Sequence, residues 1–157
     1  MSYPSEFISV FARNCEVRSI GKDSARSFME ANHRFGWSKC RYCYGLFISR
    51  KDRSGLDIGD MVAASCFSNA RRWKKGDKTV SSYEWVRYAS VGGIRVSGGM
   101  GKMLKHFIEE IKPDDIMSYA DLSSPDGGKV YSTLGFVDEG LVERDTFRCE
   151  KYRLNLK

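Results

Sequence analysis

The stretch Val96-Ser97-Gly98-Gly99-Met100-Gly101-Lys102 sets three glycines within four positions and runs straight into MLKHFIEEI, which has the spacing of an amphipathic helix. A helix N-terminus leaves backbone N–H groups without intrahelical partners and carries a partial positive charge. A glycine-rich loop at that point is therefore a seat for an anion such as a phosphate. The spacing is not that of the G-x-x-x-x-G-K-[ST] phosphate loop, because Met103 stands where a Ser or Thr would hold magnesium, and it is not the dinucleotide G-x-G-x-x-G. Glycine-rich turns are also common as tight connections, so Gly99-x-Gly101 takes its meaning from what surrounds it.

Elsewhere, several side chains have types suited to proton transfer. Tyr131 offers a phenol that is normally protonated at neutral pH. Glu84 lies within an alternating stretch where burial would raise its carboxyl; the competing reading is an ion pair with Arg87 or with a lysine of a neighbouring strand. Asp121 falls at the carboxyl end of an expected strand, where ligands gather in open α/β sheets, or else it caps the turn at Ser123 and Ser124. His33 has a side chain that titrates near neutrality, and it also reads as a helix-end cap.

The elements that must hold these residues are read from periodicity. FARNCEVRSI, residues 11–20, suggests a first strand, and Lys22-Asp23-Ser24 offers cap residues for a helix from about Ala25 to Asn32, which NHRFGW breaks. YCYGLFIS and MVAASCFS, joined by the polar RKDRSGLDIGD, read as an antiparallel hairpin. A basic turn then leads to SSYEWVRYASV, where Tyr83, Trp85 and Arg87 alternate with Glu84, Val86 and Tyr88 as in a strand. Met103, Leu104, Phe107, Ile108 and Ile111 form a helical stripe that ends before Pro113. DDIMSYAD predicts a strand ending at Asp121, SSPDGGKVYSTL a turn and short helix closed by Gly135, and GFVDEGLV with TFRCEKYRLNL a last hairpin. With no linker, repeat or low-complexity stretch, one domain over residues 1–157 is expected.

A strand, the V-S-G-G-M-G turn and a helix opening Lys102-Met103-Leu104 together resemble the pyrophosphate loop of the GNAT superfamily of acyl-CoA N-acyltransferases. Tyr131-Ser132-Thr133-Leu134-Gly135-Phe136 is similar to the family's downstream Y-x-x-L-G-F element. The resemblance runs over roughly residues 12–155. It implies an α/β fold with a mixed, mostly antiparallel sheet of six or seven strands flanked by helices and splayed where coenzyme A enters. It also implies acetyl-CoA as cofactor and direct attack by an amine acceptor, with no metal needed. Arg95, Val96, Ser97, Gly98, Gly99, Met100, Gly101 and Lys102 would hold the cofactor, although Val96 stands where an arginine or glutamine usually opens the loop and Arg95 is one position early. Tyr131 would protonate the departing thiolate, and Glu84 lies about where many members place a glutamate that takes the amine proton through water. Asp121 and His33 complete the catalytic candidates. SYADLSSPDGGKVYSTLGF and YEWVRYAS also resemble parts of the phage Mom-type DNA modification proteins, which implies a nucleic-acid base as an alternative acceptor.

A net charge of +6 and a pI near 9.1 favour a polyanionic partner, either nucleic acid or a nucleotide-like cofactor. Arg71, Arg72, Lys74 and Lys75 surround Trp73, the mixture a single-strand binder uses, and also what a solvated hairpin loop carries. A nucleic-acid-binding protein that keeps the fold without catalysis is the alternative from another class, and a homodimer is left open. No apolar run reaches the roughly 18–20 residues of a membrane span and no signal peptide opens the chain, so a cytoplasmic location is expected. Of five cysteines, Cys40 and Cys43 have the C-x-x-C spacing of half a zinc knuckle; with no second pair downstream they read as strand cysteines on opposite sides of a turn or pleat.

Overall fold

The computed structural model describes residues 7–122, 128–144 and 147–156. Along the chain these form β1 (Ile8–Phe11), a 3-10 turn (Ala12–Asn14), β2 (Cys15–Ser19), α1 (Lys22–Asn32), β3 (Tyr42–Ile48), β4 (Met61–Phe67) and β5 (Arg71–Lys75). Then follow β6 (Lys78–Ser90), β7 (Ile94–Ser97), α2 (Gly99–Ile111), β8 (Asp115–Asp121), α3 (Lys129–Thr133), β9 (Val137–Arg144) and β10 (Phe147–Asn155). The main sheet has the strand order β2-β3-β4-β6-β8-β10-β9, with β5 paired to β6 as its eighth strand. Its ladders β2–β3, β3–β4, β5–β6, β8–β10 and β9–β10 are antiparallel and β6–β8 is parallel. The expected mixed, mostly antiparallel α/β architecture is the one observed.

The residues gather into two compact units, one containing residues up to Ser68 with Val86–Ile111, the other Asn69–Trp85 with the residues from Lys112 on. In the first unit, α1 turns Ala25, Phe28 and Met29 inward at helical spacing, and α2 does the same with Met103, Leu104 and Phe107. The Phe107 ring stacks on Phe67 with centroids 3.8 Å apart, and Tyr42 and Tyr44 meet it edge-on. In the second unit, Trp85, Tyr131 and Phe136 cluster, and Tyr152 lies against Tyr131. The β6–β8 ladder covers three pairs, Ser82↔Asp115 to Glu84↔Met117. At the next step the Ser118 hydroxyl donates to the Trp85 carbonyl at 3.1 Å.

Four local expectations are corrected. The first strand is broken by the 3-10 turn because the chain changes partner there: β1 pairs with β7, β2 with β3. α1 begins at Lys22, with Gly21 as N-cap and the Ala25 N–H donating to the Gly21 carbonyl, so Asp23 sits inside the first turn, where a carboxylate favours the helix dipole. The basic run is itself a strand, since the two residues Gly76 and Asp77 turn the chain between the paired Lys75 and Lys78, with Gly76 at φ 66°. Finally, a turn at Gly92-Gly93 sets off the short parallel strand β7 ahead of the glycine stretch.

Candidate functional site

The glycine stretch is the end of β7 and the first turn of α2. Gly98 takes φ 79°, a left-handed conformation that turns the chain out of the strand, and Lys102 N–H already donates to the Gly98 carbonyl at 3.0 Å. Helix geometry leaves the N–H groups of Gly99, Met100 and Gly101 at the start of α2 without i−4 acceptors, the arrangement that receives an anion. Gly99 is buried, and a Cβ on it would overlap the Tyr88 hydroxyl and come within 3.0 Å of Val96 Cγ1. Only backbone fits there.

The side chains beside this turn divide. Lys102 Nζ donates to the carbonyls of Ala12 at 2.9 Å and Cys15 at 2.5 Å, so its ammonium ties α2 to the 3-10 turn. Arg95 is exposed on β7 with its guanidinium over the Phe7 ring, 5.5 Å from the centroid, and Ser97 is exposed at the strand's end. Val96 and Met100 are half-buried. Tyr88, which sequence reasoning passed over, is pushed up to about 12, first by burial and then by Cys15. The period of two had already put it on the same face of β6 as Glu84.

Tyr131 sits in the five-residue helix α3, entered through the left-handed Gly128 at φ 83°. A Cβ at Gly128 would crowd the Tyr152 ring at 2.6 Å and Ala120 Cβ at 2.8 Å, so this glycine lets α3 press against β8 and β10. The Tyr131 ring lies 5.4 Å from both Phe136 and Tyr152 and edge-on to Trp85 at 6.2 Å, while its carbonyl accepts the Phe136 N–H at 2.9 Å. Glu84 is 8% exposed in β6, and Arg71 Nη2 of the neighbouring strand approaches its carboxylate at 4.0 Å. Asp121 ends β8 opposite Cys149 of β10; Ser123 and Ser124, its alternative partners, lie outside the described residues.

His33 closes α1, its N–H donating to the Met29 carbonyl at 2.8 Å and its Nδ1 accepting the Phe35 N–H at 2.9 Å. Burial, and then the Arg87 charge, lower it to about 4. An imidazole held there is neutral at pH 7, and its Nδ1 is already engaged as the acceptor of the Phe35 N–H. Arg71, Arg72, Lys74 and Lys75 are all exposed on β5. Alternation puts Arg72 and Lys74 on one face and Arg71, Trp73 and Lys75 on the other. On the second unit, a cleft of about 700 Å³ is lined by Trp73, Lys75, Lys78, Asp115, Glu139 and Arg153 among others. Behind it Trp73 Nε1 donates to Ser82 Oγ at 2.7 Å, Ser82 Oγ to Asp115 at 2.9 Å, and Arg153 to Asp115 at 2.7 Å.

Solved structures show which architecture this is. A chain of the NatC complex bound to Gag peptide and CoA has a TM-score of 0.63 at 11% identity, covering 92% of this chain and 99% of that one. The fold is that of the GNAT acetyltransferases. Arabidopsis thaliana Naa50, in complex with the bisubstrate analogue CoA-Ac-MVNAL, gives 0.62 at 12% identity over 91% of this chain and 99% of that chain. The Escherichia coli ribosomal-protein-S18-alanine N-acetyltransferase gives 0.60 at 15% identity over 90% and 93%. No family model matches the sequence, and no curated protein does. Among the described residues no helix is long and apolar enough to cross a membrane.

Proposed function

We propose that the chain is an N-acyltransferase that takes an acyl group from acetyl-CoA and delivers it to an amine. The observation that carries this reading is the first turn of α2, where left-handed Gly98 leads into Gly99, a position with room for backbone alone. This turn occurs in a fold whose solved examples include a Naa50 bound to a CoA bisubstrate analogue. Acetyl-CoA would supply a thioester that an amine can attack without a metal, with coenzyme A leaving as the thiol. The backbone N–H groups of Gly99, Met100 and Gly101 bind the pyrophosphate, with Ser97 and Arg95 at its edge. Because the Lys102 ammonium is engaged by two carbonyls, the binding rests on the backbone and helix dipole more than on that charge. Tyr131 holds the proton destined for sulfur, Glu84 draws the proton from the amine through water, and Asp121 helps orient the acceptor. Titration calorimetry with acetyl-CoA tests the seat. Gly101→Val should abolish binding in a protein that still folds, and unchanged affinity in that folded variant would reject the placement.

A second reading makes a nucleic acid the acceptor or partner, through base modification of the Mom kind or through binding without catalysis. It is favoured by the full exposure of the Arg71–Lys75 strand, with Trp73 43% exposed among the cations. Binding to a single-stranded oligonucleotide should then fall steeply with salt, and neutralising Arg71, Arg72, Lys74 and Lys75 together should flatten the slope by about 3. No oligonucleotide binding at low salt would dismiss this reading. A thermal shift with acetyl-CoA separates catalysis from binding alone.

A further inference from the structure

Cys40 and Cys43 do not lie on opposite sides of a pleat. Cys40 precedes β3 in a bend at Arg41 that turns its side chain back onto Cys43, with the two Sγ atoms 3.3 Å apart. The β3–β4 register brings in a third sulfur by pairing Cys43 with Cys66, and the three Sγ atoms lie within 4.8 Å of one another. The group is closed off: Cys40, Cys43 and Cys66 are 7%, 5% and 0% exposed, in a cluster with Ala25, Phe28, Met29, Ala64 and Ala89. All three are free thiols.

We propose that Cys40, Cys43 and Cys66 form a metal site that holds one soft cation through three sulfurs, and that Cu(I) is the ion it fits. Size sets the first limit. A cation about 2.3 Å from each of three sulfurs spreads them roughly 4 Å apart, between the 3.3 Å of Cys40–Cys43, which would open slightly, and the 4.8 Å that bounds the group, whereas an iron–sulfur cluster needs a cavity of several atoms. Coordination number sets the second. Structural zinc takes four ligands, and among the described residues no histidine, carboxylate or further cysteine joins this group. The cluster that packs around the sulfurs is apolar, built from Ala25, Phe28, Met29, Ala64 and Ala89, a poor setting for a fourth-ligand water. Soft thiolates favour Cu(I), zinc and iron–sulfur clusters, and with zinc short of a fourth ligand and a cluster too large, Cu(I) in a three-sulfur shell is the ion that remains. The ammonium of Lys22, at the start of α1, interacts with Cys40 and Cys43 and offsets part of the charge that three thiolates bring inside. The cofactor seat proposed above contributes nothing to this site, so either can fail without the other.

The test is anaerobic titration of the reduced full-length protein with Cu(I) in competition with bicinchoninate, followed by X-ray absorption at the copper edge. One Cu(I) per chain is expected, with a shell of three sulfurs near roughly 2.3 Å and a rise in melting temperature. Cys66→Ala should weaken binding at least 100-fold, while Cys15→Ala and Cys149→Ala should leave it unchanged. The absorption measurement uses the natural sequence, so it decides the matter even if Cys66→Ala fails to fold. No uptake against the competitor, a shell of two sulfurs, or undiminished binding in folded Cys66→Ala would overturn the site. So would one Zn(II) per chain whose Co(II) replacement shows a four-coordinate spectrum.

Discussion

The close approach of Tyr88 to Gly99 can be tested on its own with four proteins: natural sequence, Gly99→Ala, Tyr88→Phe and the double variant. Gly99 lies in α2 outside the left-handed region, so alanine suits its backbone and, without neighbours, would gain about 0.5–1 kcal/mol. The added methyl instead overlaps the Tyr88 hydroxyl and meets Val96 Cγ1 at 3.0 Å. Overpacking of this kind costs about 1–3 kcal/mol, so the steric term wins and Gly99→Ala should be destabilised by roughly 1–2 kcal/mol. Tyr88→Phe should lose about 1 kcal/mol for its hydroxyl. Removing that oxygen also clears most of the overlap, so alanine at position 99 should be neutral or mildly stabilising in the Tyr88→Phe background. The coupling is then about 1–2 kcal/mol and favourable, read from urea unfolding midpoints at constant m. Effects that add within about 0.5 kcal/mol would show that the hydroxyl does not fill the space over Gly99, and the account of why this turn requires glycine would fail.

Tyr131→Phe should keep the ring packing and nearly all affinity for acetyl-CoA while turnover with a surrogate amine falls by roughly 100-fold or more; an unaltered rate constant at saturation removes the phenol from the mechanism. His33 is lowered from 6.5 to about 4 in the folded protein, so the unfolded chain takes up the extra proton. Stability should therefore be fully present above pH 6.5 and fall as pH drops toward 4; His33→Asn, which keeps an acceptor for the Phe35 N–H, should flatten that slope in urea melts, and an unchanged slope would count against the shift. Arg153→Met strands the buried Asp115, held otherwise by Ser82, and should cost about 3–5 kcal/mol, most of it recovered when Asp115→Asn is added; independent effects in thermal melts would refute the pairing.

The elements that the sequence located are those with buried residues, on one face in α2 and on both faces in β3 and β4. The stripe of α2 and the apolar runs of β3 and β4 show their burial in composition, and Met103, Phe107, Leu46 and Ala64 are indeed buried. β5 escaped because all five residues are exposed, leaving no alternation of polar and apolar to read; only its pairing with β6 makes it a strand. β7 escaped because four residues are too few for a period to register. Within the candidate site, glycines at a helix entrance were legible as bare backbone, but the helix begins three residues before the expected Lys102, because Gly99, Met100 and Gly101 already take helical form. Contacts between residues distant in sequence were out of reach. Tyr88 against Gly99, Lys102 on two carbonyls, and Cys66 beside Cys43 all follow from pairing and register, which no local spacing encodes.

The same exposed β5 has a consequence for the protein in solution. Among the described residues its ladder is with β6, so its other rim offers backbone N–H and carbonyl groups to any strand that arrives. Unpaired rims of this kind are where identical chains add edge to edge and begin to aggregate. Here two copies would have to bring Arg71, Arg72, Lys74 and Lys75 against the same four cations, at separations where like charges repel. Replacing these residues with uncharged ones, the change that would probe polyanion binding, should therefore also lower the concentration at which the protein stays monodisperse. Light scattering belongs beside every such binding curve.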